Sequence, residues 1–459
     1  MIDSVEAANA ALREASPALF QALSPLGRRA FFPQDIPFQA AEARGKRFNG
    51  TIGQITDGRG GAVPLPAVAQ ALEGLPEGSR NRALLYSPVE GIPEVRRSWR
   101  SWQLHALAGE SDGRRAATLP MVTAGLTHSL ALVADLFGGQ SEGQLGSQVG
   151  DQLGEKARAV AVARPFWGNY RQAFALRTGA RLVEGPAYRG TRWNPEALEE
   201  ALAGADLAPG EPALAVLNLP SNPGGYAPTV KERRDLVESL VRAAEERPLV
   251  VACDDAYAGL VYEEGVPDRS PFWDLQGIHP NLIPVKVDGA TKEFSFFGGR
   301  VGFLTFPFEP ESPAAEALES KVKCLVRAGM GSPVATSQVI LLQALESPDR
   351  DRQVAAERRL LAARYRALEE AVEGCDPDLL RPLPFNAGCF ALLALGPALR
   401  EREVTADRLR RHLLEAEDTG VVAVGEEFLR IAHCSVDEGD LPELVRRLER
   451  GAAALAGRV

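Results

Sequence analysis

Lysine is scarce in this chain: only seven of its 51 basic residues are lysine and the rest are arginine. A sequence that meets nearly every demand for positive charge with guanidinium keeps a lysine for tasks guanidinium cannot perform. Losing a proton near neutral pH and attacking a carbonyl carbon is one of them. Cysteine is sparse as well. Cys253, Cys324, Cys375, Cys389 and Cys434 lie far apart and mostly in apolar surroundings, which speaks against a disulfide framework and for buried thiols in a reducing cytoplasm. The five histidines (His105, His128, His279, His412 and His433) have no ligand spacing with one another or with the cysteines, so no metal site is expected. No apolar run approaches the ~18 residues that a membrane crossing needs. The acidic opening MIDSVEAANAALREAS lacks the basic segment and apolar core of a secretory leader. A net charge of −10 argues against nucleic acid or an anionic membrane surface as a partner.

With 45% apolar and 24% charged residues over 459 positions, the composition is that of a globular protein too long for one compact core, and two lobes are expected. Short apolar runs alternate with amphipathic helical patterns. LPMVTAG, RAVAVARP, ARLVEGP, ALAVLNLP, PLVVACDD, LIPVKVDG and RVGFLTF read as strands. Several lack alternation, as strands buried on both faces must. NPEALEEALAG and VKERRDLVESLVRAAEE between them have helical spacing, so the fold class is α/β: a mostly parallel sheet covered by helices. After residue 330 long Arg/Glu/Ala/Leu helices such as DRQVAAERRLLAARYRALEEAVEG mark a second lobe. The Gly138–Arg158 stretch, rich in Gly, Gln and Ser, reads as an exposed insertion.

Ligands of such sheets sit at the carboxyl ends of the strands. After PMVT, Gly125 permits a sharp turn, and the amides of Leu126 and Thr127 begin a helix that offers an anion site. The same residues also suit a plain helix cap. After RAVAVA, Trp167 in PFWGNY is either ordinary core or a stacking platform. After ALAVLNL, PSNPGG makes a rigid turn in which Asn222 either caps its own backbone or faces a ligand. DDAYAGL follows PLVVAC. Of the adjacent acids Asp254 and Asp255, one is expected to face solvent and the other to meet a cation, the alternative for either being a helix cap. After LIPVKVDG comes Lys292, with Arg300 eight residues on in a glycine-rich turn. Lys286, the nearest rival, is expected to point away with its stem along the sheet.

Taken together, NLPSNPGG, DDAYAGL and a strand-end lysine with an arginine eight residues on resemble the class I and II aminotransferases of fold type I, over roughly residues 49–435. The resemblance implies a large pyridoxal phosphate-binding domain over residues 57–328. It also implies a smaller α+β domain built from an N-terminal arm (1–56) and the C-terminal part (329–459), and a homodimer with shared active sites. It implies that Lys292 carries pyridoxal 5'-phosphate, that Arg300 pairs with the phosphate, and that Gly125, Leu126, Thr127 and Thr291 complete the phosphate site. Asp254 would bind the pyridine nitrogen, Asn222 and Tyr257 the ring oxygen, and Trp167 would stack on the ring. Tyr86 in YSPVEGIPEVR would reach the neighbouring subunit's phosphate. Arg430 in FLRIAHCS would hold the substrate carboxylate, with Asn222 and Gly53 lining the substrate side. Arg327, in CLVRAGMGSP, stands where aspartate aminotransferases place an arginine for a second carboxylate, but its flanking residues differ and the alternative is a surface or interface arginine.

The chain departs from the pattern at Gly289, where many relatives have serine. The expected activity is transfer of an amino group between an L-amino acid and a 2-oxo acid. A lyase or decarboxylase on the same scaffold is the alternative. A cofactor-sensing regulator is disfavoured by the acidic charge and the lack of room for a DNA-binding domain ahead of the motifs.

Overall fold

A computed structural model describes residues 4–33, 35–105, 116–139 and 158–458, so most of the Gly138–Arg158 insertion lies outside the described residues. The seven strands expected from the apolar runs form one sheet: β1 Met121–Thr123, β2 Ala159–Arg164, β3 Arg181–Pro186, β4 Ala213–Asn218, β5 Leu249–Asp254, β6 Leu282–Gly289 and β7 Gly302–Thr305. Their order is β1-β7-β6-β5-β4-β2-β3. Only β7 is antiparallel to its neighbours β1 and β6, and the other pairings are parallel.

The period of two along each strand sends alternate side chains to opposite faces. Ala161, Ala215, Val251 and Cys253 pack on one face against Leu236 and Leu240. Val160, Val162, Leu214, Val216 and Ala252 pack on the other against Leu130, Val133 and Val322. Both faces are apolar because both are covered. The covering helices include α1 Leu126–Phe137, α2 Val230–Glu245 and α4 Pro313–Gly329; the short α3 Ala290–Glu293 continues from β6, and α5 Arg350–Glu373 runs on into the core of the second lobe. α2 opens with a capping box in which Thr229 and Glu232 satisfy each other's backbone amides.

Beyond α5, a four-stranded antiparallel sheet comprises β8 Leu380–Pro382, β9 Phe390–Leu395, β10 Val422–Val424 and β11 Phe428–Ala432 in the order β8-β9-β11-β10. Residues 48 and 49 pair in parallel with Thr419 and Gly420, and Phe48 is buried in the same core as Leu393, Leu429 and Leu444. This pairing carries the N-terminal arm across the mouth of the large sheet. Among the described residues no helix is long and apolar enough to cross a membrane.

Candidate active site

The loops leaving the carboxyl ends of β1, β2, β4, β5 and β6 meet β9 and β11 of the small sheet around a cavity of about 270 Å³. Leu126 and Thr127 line it from the start of α1, and Trp167 from the loop after β2. Asn222, Asp254 and Tyr257 come from the next two loops, and Thr291, Lys292 and Arg300 from the segment joining β6 to β7. Gly53 and Arg430 close it from the small-lobe side. These residues are scattered over nearly 380 positions of the chain, and the strand ends of the large sheet together with the apposed small lobe bring them together.

Gly125 precedes α1 with φ 84° and ψ 170°, a conformation open to glycine alone. A Cβ there would fall 2.5 Å from Nη2 of Arg300, so the guanidinium lies directly over the glycine and the free amides of the helix start. Gly289 answers a different constraint. Its Cβ would stand 2.6 Å from the Val301 carbonyl oxygen and 2.9 Å from Cα of Gly302, and the close approach of β6 to β7 leaves no room for a serine. Thr291, two residues on, holds a buried hydroxyl with no hydrogen-bond partner.

Asp254 ends β5 and is buried. Its Oδ2 accepts a hydrogen bond from the Tyr170 hydroxyl at 2.5 Å, while Oδ1 is buried without a partner. Burial pushes the carboxyl up to about 6, against the pull of the Tyr170 hydrogen bond and the Lys292 charge. Burial also lowers the Lys292 ammonium from its ordinary value, more than the attraction of Asp254 restores. Lys292 Nζ lies 5.0 Å from the centre of the Tyr257 ring. Nδ2 of Asn222 donates to the Tyr257 hydroxyl at 3.4 Å.

Arg430 is 1% exposed, yet no carboxylate lies within ion-pair distance of it among the described residues. It donates to the Thr51 carbonyl at 2.6 Å and to Oδ1 of Asn222 at 3.1 Å, with its guanidinium carbon 4.3 Å from the Phe390 ring centre. Nε has no partner. Burial draws its pKa down to about 10, so it remains a cation at neutral pH. A buried, charged fork without an anion is arranged to receive one. A Cβ on Gly53 would sit 2.6 Å from Cζ of Phe390, so the glycine lets the arm pass that ring.

Tyr86 and Arg327 do not line this cavity. Tyr86 is 97% exposed, and Arg327 is exposed in the last turn of α4. Their segments adjoin, with Ser87 donating to the Pro333 carbonyl at 2.7 Å and Lys323 pairing with Glu90 at 3.2 Å. Leu84, Leu85 and Val334 are exposed beside them.

The acid pair differs from expectation, since neither acid faces solvent. Asp255 is buried against Lys286, whose Nζ lies 2.5 Å from Asp255 and 3.0 Å from Asp288. Lys286 points away from the active-site cavity, as expected, but its ammonium is buried on these two carboxylates. Its charge is buried in a separate cavity of about 220 Å³ beside Trp102 and Trp273. Sequence reasoning also missed Tyr170, Asn218, Ile36, Ile52 and Phe390. Asn218, a polar residue closing an apolar strand, carried a signal. It accepts from the Asn222 amide at 2.7 Å and donates to the Asp254 carbonyl at 2.8 Å.

Known proteins share this fold. The family model for aminotransferase class I and II matches residues 51–448. An aspartate aminotransferase of Rhizobium meliloti is 27% identical over 307 residues, spanning 64% of this chain and 68% of the relative. An aspartate/prephenate aminotransferase of Thermus thermophilus is 26% identical over 299 residues, 64% of this chain and 69% of its own length. Among solved structures, an aminotransferase from Anaerococcus prevotii superposes with a TM-score of 0.77 at 18% identity, over 94% of this chain and 98% of that one. The kynurenine aminotransferase of Pyrococcus horikoshii, solved in complex with PMP, does so with a TM-score of 0.72 at 17% identity, over 95% and 98%. The match runs from the arm that closes the cavity to the last helix of the small lobe, and the chain belongs to the class I and II aminotransferases, enzymes that move an amino group between an amino acid and a 2-oxo acid.

Proposed function

We propose that this aminotransferase works with pyridoxal 5'-phosphate held on Lys292, on which members of the family generally depend. The observation that carries the reading is the unpartnered Oδ1 of buried Asp254, in the same cavity as a lysine whose ammonium is destabilised by burial. A buried carboxylate oxygen with no donor matches a protonated pyridine nitrogen. The phosphate would take the amides at Leu126 and Thr127, the Arg300 guanidinium and the free hydroxyl of Thr291. Trp167 would cover the ring, and Asn222 with Tyr257 would donate to its oxygen. When bound, the group supplies an electron sink for the bonds at an amino acid's α-carbon.

The chain's own residues do the rest. Arg430 grips the α-carboxylate with Nη1 steadied by Asn222 and Nη2 by Thr51, which fixes the α-carbon relative to Lys292. Gly53 and Phe390 line that side. The Lys292 amine, freed when the incoming amino group takes its place on the cofactor and held toward its neutral form by burial, would accept the proton from the α-carbon. Tyr86, exposed at the edge of an apolar surface, is read as reaching the phosphate of a second copy, which makes the active unit a homodimer. Arg327 on the same surface is read as a partner-supplied contact to a second substrate carboxylate. Five free thiols, four of them buried, accord with a cytoplasmic setting.

Mixing the cofactor-loaded protein with one amino acid and no oxo acid tests the reading. A single stoichiometric turnover to the amine form of the cofactor, with one equivalent of oxo acid released, is expected. Continuous turnover with ammonia, sulfide or carbon dioxide release would instead assign a lyase or decarboxylase.

A further inference from the structure

We propose that Tyr170 is a positioning residue that sets the charge shared between Asp254 and the ring nitrogen of the bound cofactor. The inference rests on the cofactor reading above. Tyr170 is 2% exposed, and its hydroxyl reaches Asp254 Oδ2 at 2.5 Å, the short range of bonds to a charged acceptor. Its ring is held from three sides. Trp167 meets it edge-on at 5.6 Å and 84°, Phe174 at 6.2 Å and 63°, and Phe166 stacks at 6.2 Å and 18°. The hydroxyl's aim is therefore fixed by packing, and the bond does not depend on the ligand being present.

The two carboxylate oxygens are thus divided, Oδ2 to the tyrosine and Oδ1 to the cavity. The charged or titratable groups facing Asp254 are Tyr170 from the loop after β2, Lys292 from α3, and Asp255 and Tyr257 from its own loop. Among the described residues, Tyr170 is the one that donates a side-chain hydrogen bond to it. Burial keeps the Tyr170 proton on its own oxygen, so the tyrosine acts as a donor and not as an acid. Removing that donor makes the carboxylate a stronger base, which draws the proton off the ring nitrogen toward Oδ1. A ring that has lost positive charge withdraws fewer electrons, and the nitrogen of Lys292 bonded to the cofactor then holds its own proton to higher pH.

The test is a pH titration of the visible absorbance of the holoenzyme in wild type, Tyr170→Phe, Phe166→Leu and protein carrying 3-fluorotyrosine at position 170 alone. The Tyr170→Phe midpoint should rise by about one pH unit, the scale of one hydrogen bond to a charged group. Fluorotyrosine, a stronger donor of the same shape, should move it down, which keeps the test decisive if the phenylalanine variant folds poorly. Phe166→Leu, which removes one of the three packing contacts and leaves the hydroxyl, should move it less than Tyr170→Phe does. An unchanged midpoint with fluorotyrosine or Tyr170→Phe, or an equal shift with Phe166→Leu, would overturn the proposal. A wild-type protein that develops no visible absorbance with pyridoxal 5'-phosphate would overturn the cofactor reading instead.

Discussion

Replacing Gly125 by alanine separates backbone strain from ligand binding at one atom. At φ 84° and ψ 170° an alanine is strained by roughly 1–3 kcal/mol, a cost present with or without ligand. That part appears as lost stability of the unliganded protein, a fall in Tm of a few degrees. The second part is specific. The new Cβ would lie 2.5 Å from Arg300 Nη2, far inside contact distance, and the guanidinium must leave its place above the helix start. Arg300 is itself at φ 51° and among the described residues otherwise donates only to the Phe297 carbonyl at 3.1 Å, so it yields easily. Losing its charge-assisted bond to a phosphate costs about 1.5–3 kcal/mol, roughly a 10- to 150-fold weaker cofactor dissociation constant. Titrating apo-protein with pyridoxal 5'-phosphate by fluorescence measures it. In an Arg300→Ala background the Gly125→Ala change should cost no further affinity, since both remove the same contact. Additive losses, or wild-type affinity for Gly125→Ala, would refute the placement of the phosphate.

Mixing inactive Lys292→Ala chains with inactive Tyr86→Phe chains should restore part of the activity through hybrid dimers with one intact site. No recovery after proven subunit exchange would count against shared sites. Arg327→Leu should lower kcat/KM for aspartate and glutamate by roughly 2–5 kcal/mol while sparing alanine and phenylalanine; equal losses for all four would remove it from the substrate's surroundings. Burial raises the Glu357 carboxyl from 4.5 to about 7, against the pull of its hydrogen bond from Ser295. A raised pKa means the folded state binds the extra proton, so this stability is present below about pH 4.5 and is lost as pH rises through about 7. Urea unfolding should show wild type losing up to about 3 kcal/mol more than Glu357→Gln between pH 5 and 8. Parallel losses would show that Glu357 is already ionised in the fold.

The seven strands of the large sheet were legible because each is an apolar run closed by a polar or glycine-rich loop, a local pattern that burial on both faces imposes. The place of Lys292 in the cavity was legible for a related reason: it follows such a run, and Arg300 lies close in sequence. Contacts between distant segments left no such trace. Tyr170 meets Asp254 across 84 positions, and Phe390 and Ile36 reach the cavity from parts of the chain where they resemble ordinary core residues. The acid pair was misjudged through the same gap. Lys286, 31 residues from Asp255, compensates a buried charge that local sequence can only assign to solvent or an unnamed cation. Gly289 was visible as a departure from the family, while its cause, the approach of Val301 and Gly302, belongs to strand pairing.

Borohydride reduction of the holoenzyme followed by peptide mapping puts the assignment of Lys292 to its most direct trial. Reduction fixes the cofactor to whichever amine holds it. The label should fall on Lys292 alone, in the peptide that runs through DGATKEFSFF, and Lys292→Ala should take none. A label on Lys286, or a Lys292→Ala protein that is modified as fully as wild type, would contradict the reading of this cavity as the cofactor site.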